Sequence, residues 1–90
     1  MSNYNIKDLR AKSMYEKIGN NTIHIIAIIE LENSSYLLYE DVDTKKWWVE
    51  RITQRTLSDN IFSGYMLESI EDDKLWSRLI QIVAKNKLAS

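Results

Sequence analysis

The chain of 90 residues reads as an α+β protein, one domain over residues 1–90: an N-terminal helix, an antiparallel meander of three or four strands, and a C-terminal amphipathic helix packed on the sheet. Three observations predict this class. Residues 22–32 are dense in β-branched side chains, which fit a pleated strand better than a helix. The segments that follow are joined by short polar turns, and short connections force neighbouring strands to pair antiparallel. The last segment spaces its apolar residues as a helix does.

The first helix is expected over residues 5–18. Asn5 can cap it, with Asp8 three residues on in the capping-box position. Ile6, Leu9, Met14 and Ile18 fall roughly on one face, and Gly19-Asn20-Asn21 supplies a stop. In the strand 22–32, strict alternation puts Ile23, Ile25, Ala27, Ile29 and Leu31 on one face and His24, Ile26, Ile28 and Glu30 on the other. Both faces are apolar at the middle, so the strand is central or covered on both sides. Asn33-Ser34-Ser35 is a turn signal. Residues 36–42 form the second strand, Asp43-Thr44-Lys45-Lys46 a turn, and residues 47–53 or beyond the third. Ser58-Asp59-Asn60 is another turn. Residues 61–67 suit a fourth strand, a short helix or an irregular loop, because Gly64 interrupts them. In the closing helix Ser69 and Asp72 form a capping pair, and Glu71, Asp72 and Asp73 sit where the helix dipole favours negative charge. Leu75, Trp76, Leu79, Ile80, Ile82 and Val83 make a broad apolar stripe, followed by Lys85 and Lys87.

Composition removes several classes of function. There is no cysteine, which excludes disulfides, thiol nucleophiles and thiolate metal sites. A net charge of −1 gives no overall attraction to nucleic acid or anionic membrane. The first ten residues are polar, unlike a signal peptide, and the longest apolar run, residues 25–29, is too short to span a bilayer. A cytoplasmic location is expected, with no membrane partner.

Nothing in the sequence assembles a catalytic site. The single histidine, His24, has no nucleophile paired with it in sequence, and with no cysteine a metal would have only carboxylates beside it. Asp41-Val42-Asp43-Thr44 lacks the glycine and closing glutamate of a calcium loop and reads as a polar hairpin end. Gly19 and Gly64 are too far apart for a phosphate-cradling loop. Glu40, Asp41 and Glu50 lie on adjacent strands, but nothing fixes their spacing as a carboxylate pair. The expectation is no enzyme, no cofactor and no metal.

The aromatic residues carry more. Tyr36, Tyr39, Trp47 and Trp48 share one hairpin, and tyrosine, tryptophan and arginine are the types enriched at binding hot spots. As strand neighbours, Trp47 and Trp48 point to opposite faces. Trp47 is expected to pack inward beside Val49, and Trp48 to lie outward with Glu50 and Ile52. The function expected is a small protein-binding module acting by occlusion: an adaptor, an inhibitor or an immunity-type accessory protein. Compact accessory proteins of phages and mobile elements have this size and composition. The partner-binding residues are expected to be Trp48, Trp47, Tyr36, Tyr39 and Arg51. The two-faced strand and the broad helix stripe also suit a homodimer. The alternative is single-stranded nucleic acid stacked on the aromatic sheet face, with Lys45, Lys46, Arg51 and Arg55 nearby. Glu40, Asp41, Asp43 and Glu50 on the same hairpin oppose it.

Overall fold

A computed structural model describes residues 3–55 and 65–89. In chain order its elements are β1 (Tyr4–Asp8), a 3-10 turn (Arg10–Lys12), β2 (Tyr15–Ile18), β3 (Asn21–Leu31), β4 (Ser34–Asp41), β5 (Trp47–Arg55), β6 (Tyr65–Glu68) and α1 (Asp73–Lys85). The six strands form one antiparallel sheet in the order β1-β3-β4-β5-β6, with β2 also on β3. The expected two-helix α+β arrangement is therefore corrected. The fold is dominated by its sheet, and α1 is the only α-helix among the described residues.

The correction lies in the first 18 residues, where β1, the 3-10 turn and β2 replace the expected helix. β4 occupies one edge of the long strand β3, and β1 and β2 lie end to end along the other. β1 runs from Tyr4 opposite Leu31 to Asp8 opposite Ala27, and β2 from Tyr15 opposite His24 to Ile18 opposite Asn21. Where the line breaks, the ladder still holds on both sides: Leu9 N–H donates to Ile26 O at 2.8 Å, and Ile25 N–H to Met14 O at 2.9 Å. An eleven-residue β-branched strand left open on one edge would expose a row of unpaired amides. Pairing that edge outweighs the weak helical signal. Asp8 does not cap a helix. Its carboxylate accepts from Arg10 N–H at 3.0 Å and holds the Arg10 guanidinium at 2.7 Å.

β3 also departs from strict alternation. The register shifts between Ile25 and Ala27, a bulge that changes which face each later side chain takes. Ile23, Ile25 and Ile28 belong to one buried cluster, with Leu9 and Leu37. Ile26, Ala27, Ile29 and Leu31 belong to the other, with Tyr36, Leu38, Val49 and the α1 residues Leu79, Ile82 and Val83. The helix thus covers one face of the sheet, and Leu9 and the partly buried Met14 help fill the other.

Asp72 caps α1, accepting from Lys74 N–H at 2.9 Å and Leu75 N–H at 3.3 Å. Ser69 is not its capping partner; its hydroxyl donates to Glu50 Oε2 at 3.3 Å. After the helix, Leu88 N–H donates to Val83 O at 3.1 Å, and Leu88 returns to the core. The expected turn at 58–60 and the first part of the 61–67 segment lie outside the described residues. β6 pairs with β5 from Arg51 opposite Glu68 to Arg55 opposite Tyr65. No helix among the described residues is long and apolar enough to cross a membrane.

Candidate functional site

The β4–β5 hairpin positions the site. Its turn is closed by Asp41 N–H donating to Lys46 O at 2.7 Å and Lys45 N–H donating to Asp41 O at 2.9 Å. The Asp41 side chain, 7% exposed, accepts from the backbone N–H groups of Asp43 at 2.9 Å and Thr44 at 3.3 Å. Aspartate commonly holds its own turn this way. The Asp41-Val42-Asp43-Thr44 motif is thus a turn whose first carboxylate is occupied by its own backbone.

The hairpin register then fixes the aromatic rings. Tyr39 lies opposite Trp48, and Glu40 opposite Trp47. Trp47 packs against the helix-side cluster. Trp48 points to the other face and is 40% exposed. Its ring stacks on Tyr39 with centroids 6.2 Å apart and planes 22° apart. Tyr39 is itself partly buried beside the second cluster, and its hydroxyl donates to the Glu50 carboxylate. Burial of the phenol, and then the hydrogen bond to Glu50 and its charge, push the Tyr39 pKa well above its ordinary value. Glu50 also accepts from Ser69, so its carboxylate is held from two elements.

β6 ends at Glu68, opposite Arg51. Beyond that point no strand pairs with the outer side of β5, so the edge from Trp47 to Glu50 is open among the described residues. The chain leaves β6 through Ser69 and Ile70 and turns into α1. Together these elements form a cleft of about 350 Å³ lined by Trp48, Val49, Glu50, Ser69, Ile70, Asp73 and Trp76. It straddles the sheet edge, with Trp48 on one side and the first turns of α1 on the other.

The five residues expected to bind a partner are divided between the two faces. Trp48 and Tyr39 are together on the face opposite the helix. Trp47 and Tyr36 lie on the helix side, where Tyr36 is only 4% exposed and belongs to the core. Arg51, opposite Tyr36, is exposed and pairs with Glu68. Sequence reading missed Trp76 and Asp73 as members of the site. Both sit on a helix whose stripe reads as core, and only the path of residues 69–72 brings them beside Trp48. Two-residue spacing already puts Glu50 on the outward face with Trp48, but it does not mark Glu50 as a member of the site.

His24 lies elsewhere. Its ring stacks on Tyr15 at 4.6 Å, with planes 14° apart, and its buried Nε2 has no hydrogen-bond partner among the described residues. Among the described residues no group of three or more histidine, aspartate or glutamate side chains is placed to hold a metal. Compared with protein-family models, with curated proteins and with solved structures, the chain matches none.

Proposed function

We propose that this is a small protein-binding module that acts by occlusion, as an adaptor, inhibitor or immunity-type protein in the cytoplasm, and that Trp48 is the centre of its binding surface. The observation that carries the reading is the exposure of Trp48 on a rigid support. The residue is 40% exposed, its ring is stacked on Tyr39, and it borders a cleft at the open end of β5. Among the described residues the large exposed apolar side chains are Trp48 and Tyr15, and Trp48 alone borders that cleft. An exposed tryptophan on a rigid strand loses little conformational entropy on binding and brings a large contact area.

The polar groups around the ring argue for a protein rather than a nucleic acid. Glu50 and Asp73 line the same cleft as Trp48, and carboxylates beside a stacking ring repel phosphates. The test compares wild type with Trp48→Ala as baits in extract of the source cell. A partner retained by wild type and lost from W48A, with W48A still folded at the temperature of the experiment, supports the proposal. The same partners retained by both baits would remove Trp48 from the binding surface. Salt-sensitive binding of single-stranded oligonucleotide by wild type but not W48A would transfer the surface to nucleic acid.

A further inference from the structure

Building on that reading, we infer that the cleft between Trp48 and Trp76 receives a cationic side chain, a lysine or arginine presented by the protein partner. Two tryptophans, Trp48 and Trp76, line this cleft, and so do two acidic residues, Glu50 and Asp73. Indole faces attract cations through the ring quadrupole, tryptophan most strongly.

The acidic groups here differ from the other paired ones on the surface. Asp8 is paired with Arg10, Glu68 with Arg51, and Glu32 with Arg78. Among the described residues neither Glu50 nor Asp73 has a cationic partner. Glu50 is instead held by two neutral donors, the Tyr39 and Ser69 hydroxyls. Those contacts fix its direction and leave acceptor capacity, because a carboxylate offers about four lone-pair sites. Asp73 opens α1, one residue after the cap. The floor beside them is Val49, a core residue. An apolar side chain entering this space would take both carboxylates out of water with nothing to pair them, which is unfavourable. A phosphate would meet like charge. A side chain with an apolar stem and a positive head satisfies both the rings and the carboxylates.

The test uses the full chain and three blocked pentapeptides, acetyl-Gly-Gly-X-Gly-Gly-amide with X as arginine, lysine or norleucine. Each is titrated to about 20 mM, a range in which millimolar binding registers, while the indole N–H signals of Trp48 and Trp76 are followed by nuclear magnetic resonance. The expected result is saturable movement of both signals by the arginine or lysine peptide, at least about fivefold tighter than by the norleucine peptide. Asp73→Asn and Glu50→Gln should each weaken the cationic peptide and leave norleucine unchanged. Asp73 lies on α1, whereas the Tyr39 hydroxyl is held by Glu50 on β5, so D73N keeps the test intact if E50Q disturbs the Tyr39 ring. Equal affinity for norleucine, or no saturable movement with either cation, overturns the assignment. The two failures are separable. If W48A loses its partner but the peptides show no preference for charge, the cation assignment falls and the binding surface stands. If W48A keeps its partner, the surface reading itself falls.

Discussion

Truncating Trp47 should cost the fold more than truncating Trp48. Trp47 packs on the helix-side cluster, so Trp47→Ala should lose about 2–4 kcal/mol of stability, somewhat below the cost of removing a fully buried ring. Trp48→Ala gives up a partly exposed ring and its stacking on Tyr39, and should lose about 1 kcal/mol. Urea denaturation of the two variants checks this, and equal large losses would mean that both rings belong to the core. The opposed directions were legible, because a strand alternates its side chains. The membership of Tyr36 in the core was not, since four aromatics on one hairpin look equivalent until the helix is placed.

Two polar contacts make pH-dependent expectations. The hydrogen bonds from the Arg10 side chain, and then from its backbone N–H, hold the Asp8 carboxyl at about 2, below its ordinary 3.8. A lowered carboxyl contributes stability that is complete above its unfolded value and is lost as pH falls toward the folded one. Both side chains are nearly half exposed, so solvent screening makes that contribution small. The titration itself is the sharper readout: in Arg10→Ala, Asp8 should titrate higher than in wild type and still below 3.8, because the backbone N–H of residue 10 remains as a donor. Tyr39 shifts the other way. Its raised pKa favours the folded state below the ordinary tyrosine value of 10.0, and that advantage is lost as pH rises through the folded pKa. Glu50→Gln removes the carboxylate's part and leaves burial in place. The Tyr39 ring signals should then titrate lower than in wild type and still above 10.0.

Among the elements, β3 determines how the others are arranged. Ile25 and Ile29 are fully buried on opposite faces of it, one in each cluster. Replacing either with alanine should cost about 2–5 kcal/mol, and a change under about 0.5 kcal/mol at both positions would contradict the assigned core. The strand itself was legible from its β-branched run. Its bulge was not, because one extra residue leaves composition unchanged and only the neighbouring strand reveals the shift. The two strands before it were misread for a physical reason. Ile6, Leu9, Met14 and Ile18 approximate a helical face, while Tyr4 and Ile6 also fit a two-residue period, and local pattern cannot choose between them. The open edge of β3 makes that choice. Gly19 illustrates the same point, as it looks like a helix stop and instead opens a two-residue hairpin loop between Ile18 and Asn21. Its φ of +60° is costly for any residue with a Cβ, by about 1–2 kcal/mol. Nothing lies within 4 Å of the added methyl, so Gly19→Ala isolates the backbone term. A loss of about 1 kcal/mol in denaturation is expected, and a gain would show that the hairpin adopts another conformation.

Taken as one molecule, the protein covers one face of its sheet with α1 and leaves Trp48 partly exposed on the other. α1 buries Leu79, Ile82 and Val83 against the sheet, which accounts for much of the broad apolar stripe that first suggested a homodimer. The opposite face carries Trp48, and the proposed surface runs from it across the sheet edge to Asp73 and Trp76 of α1. Self-association through Trp48 would be a second way to cover it. Sedimentation distinguishes the two, since dimerisation at micromolar concentration that vanishes in W48A would make the partner a second copy. The central claim is that Trp48 binds and does not hold the fold together. The most direct measurement is calorimetric titration of the retained partner into wild type and into W48A, with the unfolding midpoints of both recorded alongside. The expected result is a loss of at least about 30-fold in affinity, the size of a hot spot, with the midpoint lowered by no more than about 8 °C, as a loss of about 1 kcal/mol implies. Binding by W48A equal to wild type would contradict the account.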